Sequence, residues 1–413
     1  MMMSKSSQET NPLRLLEGEV APWPFFEEEV ISKVSSVLRS GKVNQWGGIH
    51  VNLLAEEFAA YLENDKKLYA IPNSNGSTAL QMALHACDIT ENDEVIVSPR
   101  SFIISASCPL LCKATPVFAD VDSNGNMDAD GILSCLTSRT KAVIIVHMGG
   151  LACNMPAIVE LCRSKNIFLI EDCSQAHGGK YNNQHLGTFG DVGTWSFCQD
   201  KIITTGGEGG ICTTSNEKLF RKMWGYKDHG RDYNLCTDKN IKWKPGYRRL
   251  CTSIGTNYRM TEMQAVIGRH FLTKLDEWIT IRKHNAKILI DKLQSLSMVR
   301  FPKFEDTIID HAYYRVYMFV DSNFMSSKNI TNVDICEAVK ARGVPCSVGS
   351  CATLWQEPCF NTPSDKIMYL NPSGCPRAKT LFSEQVAFVC HPTISGKCMD
   401  KMACIIKDVL LSL

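Results

Sequence analysis

Thr194-Trp-Ser-Phe-Cys-Gln-Asp-Lys-Ile-Ile-Thr-Thr-Gly-Gly-Glu-Gly-Gly, residues 194–210, is the stretch that decides the fold, and Lys201 is its centre. A β-type run, Val192 to Phe197, leads in, and a second, Ile211-Cys-Thr-Thr, leads out. Between them lies the glycine-dense turn Gly206-Gly207-Glu208-Gly209-Gly210. Glycines let a backbone take positive φ and come close to a ligand. A lysine held between strand ends beside such a turn is expected to be partly desolvated, which lowers its pKa and frees a neutral amine to attack a carbonyl. Alone, the same residues also describe a plain hairpin carrying a surface lysine, so Lys201 takes its meaning from what surrounds it.

Upstream, short apolar runs alternate with helical patterns. Strands are expected at Lys67–Pro72, Glu94–Ser98, Pro116–Ala119, Thr140–His147 and Ile167–Glu171, with helices at Ala79–Ala86, Ser101–Leu111 and Met155–Ser164. Such alternation predicts an α/β fold with a mostly parallel sheet covered by helices on both faces. Ligands in these sheets sit at the carboxyl ends of the strands. Asn73, Ser98, His147, Asp172 and Ser196 all fall there. Two amphipathic helices, Glu27–Leu38 and Val51–Leu62, precede the alternation. From Met260 to Leu293 the pattern becomes one long helical stretch. Strands at Met298–Pro302 and Tyr313–Val320, a helix at Asn332–Ala341 and a helical tail from Met399 then suggest a smaller α+β unit. The expected organisation is a disordered lead (1–20), a large domain (21–270) and a small C-terminal domain (271–413).

Of the 413 residues, 44% are apolar and 21% charged, and the net charge is +1. That balance offers no electrostatic footprint for nucleic acid or an anionic membrane surface. No apolar run is long enough to span a bilayer, and the polar start lacks the apolar core of a secretory signal. The 19 cysteines are scattered and odd in number, which fits free thiols in a reducing cytoplasm better than a disulfide framework. Cys108 and Cys112 share a helix face but find no second pair, so no metal site is expected.

The strand-end residues combine into a chemistry. Asn75-Gly76-Ser77 opens a helix directly after a strand, where backbone N–H groups form a phosphate site; an ordinary N-cap by Asn75 or Ser77 reads equally well. Asp172 ends a buried strand and needs a partner, either a cationic ring nitrogen or an arginine. Gln175, three residues on, faces the same way. Phe102 stands just after a strand end, for stacking on a flat ring or for core packing. A phosphate cradle, a buried acid, a stacking ring and a lysine nucleophile together suit pyridoxal phosphate.

The chain resembles the DegT/DnrJ/EryC1/StrS family of pyridoxal-phosphate-dependent sugar aminotransferases. The resemblance is carried by Ser74-Asn-Gly-Ser-Thr-Ala-Leu, Asp93-Glu-Val-Ile-Val, Pro116-Val-Phe-Ala-Asp-Val-Asp and Glu171-Asp-Cys-Ser-Gln-Ala-His-Gly. It continues through Gly190-Asp-Val-Gly-Thr-Trp-Ser-Phe-Cys-Gln-Asp-Lys, Thr205-Gly-Gly-Glu-Gly-Gly and Gly255-Thr-Asn-Tyr-Arg-Met-Thr-Glu-Met-Gln-Ala. It implies an aspartate-aminotransferase-like fold with a seven-stranded large-domain sheet. It further implies Lys201 as the Schiff-base lysine, Asp172 as partner of the pyridinium nitrogen and Gln175 as donor near the ring hydroxyl. Asn75, Gly76, Ser77 and Ser196 would hold the phosphate, and Phe102 would stack on the ring. Asn257 would reach a phosphate across a homodimer interface. Cys198 stands where many members have His, and Val348-Gly-Ser-Cys-Ala-Thr-Leu-Trp stands where many have a His-Tyr-Pro stretch.

The implied reaction moves an amino group from glutamate to a nucleotide-linked keto-sugar. The favoured substrate is dTDP-4-keto-6-deoxyglucose, giving the 4-amino-4,6-dideoxy sugar; GDP-linked 4-keto-6-deoxymannose, giving perosamine, is the nearest rival, and a 3-keto-sugar is the less frequent alternative that the resemblance implies. His311, Tyr313, Tyr314 and Arg231 are candidate sugar or diphosphate contacts. Against a dehydratase on the same fold stands Lys201, which such relatives replace with histidine. Against a nicotinamide oxidoreductase stands the lack of Gly-x-Gly-x-x-Gly after the first strand. Against a non-catalytic regulator stands the joint presence of Lys201, Asp172 and Asn257.

Overall fold

Seven apolar, β-branched runs form the strands β1 (Tyr69–Asn73), β2 (Glu94–Val97), β3 (Thr115–Phe118), β4 (Thr140–Val146), β5 (Phe168–Asp172), β6 (Val192–Ser196) and β7 (Gly210–Thr214). The computed structural model describes residues 14–63, 65–238, 240, 250–349, 352–360, 372 and 374–413. The seven strands make one sheet in the order β1-β7-β6-β5-β4-β2-β3. The pairs from β6 through β5, β4 and β2 to β3 are parallel. β7 runs antiparallel to both β1 and β6. The expected mostly parallel, seven-stranded sheet is therefore present. Along β4, Val143 and Ile145 pack into one buried cluster and Ala142 and Ile144 into the other. Helices cover both faces, which is why the strand reads as a continuous apolar run and not as an alternation.

Two expectations about helices are corrected. The run Met260–Leu293 is two helices, Glu262–Leu272 and Leu275–Leu293. The chain turns at Thr273, whose hydroxyl donates to the His270 carbonyl at 2.7 Å. Past the break, Leu275 and Ile279 join the core of the large sheet, whereas Ala286, Leu289 and Leu293 join a different cluster. The helix expected from Ser101 begins only at Ile104, because Arg100–Ser101 pairs as a short strand with Ala352–Thr353.

This third cluster lies under a four-stranded antiparallel sheet built from Val299–Arg300, Val316–Val320, Gln385–Phe388 and Cys346–Ser347. Ile335 and Val339 of the Asn332–Ala341 helix and Met399, Met402 and Ile406 of the Gly396–Ser412 helix pack beneath it. The expected disordered lead is also corrected in its described part. Leu15 is buried in this cluster, and its N–H donates to the Arg342 carbonyl at 2.9 Å. Residues 1–13 of that lead lie outside the described residues.

One carboxylate ties the two ends of the large unit together. Glu262 is fully buried and accepts from the backbone N–H groups of Ile49 (2.8 Å), His50 (2.6 Å) and Val51 (3.1 Å), capping the His50–Leu62 helix across the chain. A Cβ on Gly48 would collide with the Glu262 carboxylate. The glycine break at 47–48 therefore serves this close approach. Replacing Glu262 with Ala leaves the buried Val51 N–H unpaired, at about 1–3 kcal/mol, and opens the part-buried N–H groups of Ile49 and His50 to water. A loss of about 1–3 kcal/mol in denaturant unfolding is expected, with the Gln variant retaining part of the stability.

Candidate active site

Three chain segments converge at the carboxyl edge of the large sheet. β1 ends at Asn73, and the Gly76–Ala86 helix starts three residues later. Asn75 caps that helix: its side chain accepts from the Thr78 N–H at 2.9 Å, and Thr78 returns a bond to the Asn75 N–H. The side chain of Asn75 is thus spent on the cap, and the N–H groups of Gly76 and Ser77 head the helix. Ser196, the last residue of β6, lies against this helix start. A Cβ added to Gly76 would fall 2.7 Å from the Ser196 Cβ, so glycine is required at that contact.

β5 delivers Glu171 and Asp172 to opposite faces. Glu171 accepts from the N–H groups of Gly187 (2.8 Å), Phe189 (2.8 Å) and Gly190 (2.7 Å). It also meets His147 Nε2 at 3.2 Å, while His147 Nδ1 accepts from the Cys153 N–H at 3.2 Å. With Nδ1 accepting, Nε2 carries the proton given to Glu171, and the carboxylate is used in holding the 187–190 turn. Asp172 faces the cavity, nearly buried. Its Oδ2 accepts from the Ser105 hydroxyl at 2.9 Å and its Oδ1 from the Ser174 N–H at 3.1 Å. Ser101 extends the chain by bonding Ser105 at 2.8 Å. Of the two partners weighed for Asp172, no arginine pairs with it among the described residues.

Lys201 hangs from the loop after β6. Its carbonyl accepts from the Trp23 indole at 3.0 Å, and its Nζ lies 3.8 Å from Asp200 Oδ1 and 4.9 Å from the centre of the Tyr314 ring. Burial pushes the ammonium toward losing its proton, but Tyr314, Asp200, Asp172 and Cys198 together outweigh it, and the pKa is raised. The expected depression is thereby corrected: desolvation is present, and the acids around the amine prevail.

Asn75, Gly76, Ser77, Phe102, Asp172, Gln175, Ser196, Lys201 and Tyr314 all line one cavity of about 330 Å³. The Gln175 side-chain oxygen accepts from the Gly149 N–H at 2.8 Å. Phe102 is 59% exposed, which sets aside core packing. Asp200, Ser174 and Glu208 also face the cavity and were not anticipated. Asp200 stood beside Lys201 in sequence, but its partner Tyr314 is far away in the chain.

The other candidates lie elsewhere. His311 is buried, stacked on Tyr313 with centroids 3.8 Å apart, and accepts from the Tyr313 N–H at 2.9 Å. Burial and nearby Lys283 push it down to about 3, so it is neutral. Neither residue is among those that line the cavity; the two rings stack on each other. Arg231 lies over the Trp46 ring at 4.8 Å and 3.6 Å from Asp228. Asn257 is exposed and forms a backbone bridge with Asp228. Both are outside the cavity of their own chain.

The chain is similar to known proteins over most of its length. A family model described as the DegT/DnrJ/EryC1/StrS aminotransferase family matches residues 24–407. The GDP-perosamine synthase of Escherichia coli O157:H7 is 34% identical over 294 residues, covering 71% of this chain and 76% of that one. The L-glutamine:2-deoxy-scyllo-inosose aminotransferase of Streptomyces kanamyceticus is 33% identical over 280 residues, 65% of this chain and 64% of that one. The X-ray structure of an aminotransferase from Psychrobacter cryohalolentis has a TM-score of 0.89 at 39% identity, covering 95% of this chain and 99% of that one.

Proposed function

Because the chain belongs to the DegT/DnrJ/EryC1/StrS aminotransferase family, we propose that it moves an amino group onto the keto carbon of a nucleotide-linked 4-keto-6-deoxyhexose. It is a sugar aminotransferase that works with pyridoxal phosphate. One observation carries the reading: the Lys201 amine, the Asp172 carboxylate and the amino end of the Gly76–Ala86 helix open onto the same cavity.

The residues fit the cofactor part by part. The notch between the helix start and Ser196 exists only because Gly76 lacks a Cβ. The Gly76 and Ser77 N–H groups, at the positive end of the helix, and the Ser196 hydroxyl suit a phosphate. Asp172, held on both oxygens, suits a ring nitrogen that must keep its proton, and the open face of Phe102 suits the flat ring. The Lys201 amine suits the aldehyde. When bound, the cofactor supplies a protonated ring that draws electrons from a carbon losing its proton.

The chain supplies the rest. Asp172 would hold the proton on the ring nitrogen, and the Ser105 and Ser174 bonds stop the carboxylate from turning away. Lys201 holds the cofactor at rest. With the donor amine in its place, the freed Nζ would take the proton from the donor α-carbon and, with the sugar bound, would give one to the sugar carbon, as base and then acid. Asn257 is assigned to the cavity of a second copy, where it would contact the phosphate, giving a homodimer with shared sites. Its exposure, and its absence from the lining of its own chain's cavity, support this. Arg231, on the same surface, is assigned to the substrate diphosphate.

Glutamate is the proposed donor. The substrate is either dTDP-4-keto-6-deoxyglucose, favoured by the sequence motifs, or GDP-linked 4-keto-6-deoxymannose, favoured by the name of the Escherichia coli relative. No helix among the described residues is long and apolar enough to cross a membrane. The free state of the described cysteines supports a cytoplasmic location. Incubation with each nucleotide sugar and glutamate, followed by mass analysis, is expected to give a 4-amino-4,6-dideoxy product from one of them. Absence of an amino sugar from both would reject the 4-keto-6-deoxyhexose reading.

A further inference from the structure

The Lys201 amine has company at its end of the cavity. Asp200 Oδ1 lies 3.8 Å from Nζ. Its Oδ2 accepts from the Tyr314 hydroxyl and lies 3.5 Å from an Arg315 nitrogen. The Tyr314 ring, 1% exposed, stands 4.9 Å from the same Nζ. Tyr314 and Arg315 lead directly into the Val316–Val320 strand of the small sheet. One carboxylate therefore binds the lysine loop to the second sheet.

We propose that Asp200 is a positioning residue for Lys201: anchored by the Tyr314 hydroxyl and Arg315, its carboxylate holds the ammonium against the cavity wall and keeps its proton there until a carbonyl partner arrives. This rests on Lys201 being the amine that takes the cofactor.

The other groups facing the amine do not duplicate this role. Asp172, from β5, adds to the attraction but is held by Ser105 and Ser174 and forms no ion pair with Nζ. Cys198 shares the loop and points its thiol toward exposed Glu208, 3.9 Å away on the glycine turn. His177, packed behind, is held down to about 3 by burial and by the Lys201 and Arg282 charges, so it is neutral. Arg315, a like charge to the ammonium, lies 3.5 Å from the Asp200 carboxylate and helps to anchor it. Among the described residues, Asp200 is the one carboxylate within ion-pair distance of Nζ.

The test uses full-length protein freed of cofactor. Trace acetic anhydride at fixed neutral pH, scored against a reference amine, reports the neutral fraction at Lys201 by peptide mass. An opposite charge this close favours the ammonium by about tenfold or more, so Asp200→Asn is expected to label about tenfold faster. Asp200→Glu, which restores the charge, is expected to return toward the parent rate. Tyr314→Phe keeps the ring but releases the carboxylate, and is expected to move the rate the same way by a smaller factor. An Asp200 with a merely structural role would lower the melting temperature and leave the labelling rate unchanged, which overturns the proposal. The parent assignment fails separately: if pyridoxal phosphate cannot be fixed to Lys201 by borohydride in the unsubstituted protein, Lys201 is not the cofactor amine, whatever the labelling rates.

Discussion

Replacing Lys201 with Ala is expected to lower amino transfer by roughly a thousandfold or more, since one side chain both joins the cofactor and moves the proton. Groups that act as nucleophile and base in one site do not substitute for one another, and losing such a group removes most of the rate. The same variant should lose the visible absorbance of the cofactor-loaded protein while keeping its far-ultraviolet circular dichroism. Lys201→Arg separates two explanations. It retains a positive charge beside Asp200 but offers no nucleophile, so it is expected to be as inactive as the Ala variant. An Arg variant with near-parent turnover would mean that Lys201 contributes charge alone.

The second large effect is expected at Asp172. Asp172→Asn keeps the size of the side chain and an oxygen to accept from Ser105, but removes the negative charge facing the cavity. Electrostatic stabilisation by a fixed group of this kind is worth about a hundred- to a thousandfold in rate. The loss should appear in kcat with cofactor content and melting temperature little changed, because the phosphate cradle and the Lys201 loop are built from other segments. An Asn variant within a few-fold of the parent would show that Asp172 is only a structural partner of Ser105 and Ser174.

The strands were legible because parallel strands buried on both faces appear as unbroken apolar runs such as Ala142–Val146, and these cannot be disguised. The site was legible wherever one strand or one helix start carries the residue: Asp172 at the end of β5, Ser196 at the end of β6, Gly76 at a helix opening. What depended on pairing across the chain was hidden. The break at Thr273–Lys274 uses neither glycine nor proline, and only the two cores that it serves explain it. The direction of the Lys201 shift turned on Asp200 and Tyr314, and no spacing rule joins positions so far apart. His311, Tyr313 and Tyr314 share one short stretch, yet only Tyr314 reaches the cavity; the other two stack on each other. The role of Glu262 lay within a quoted motif, but its partners are the N–H groups at 49–51.

Borohydride reduction of the protein loaded with pyridoxal phosphate, followed by peptide mass mapping, tests the central claim most directly, because reduction fixes the cofactor to whichever amine holds it. The added mass is expected on the peptide containing Lys201 and on no other. Label on a different lysine, or a loaded protein that carries no fixed cofactor after reduction, would contradict the account.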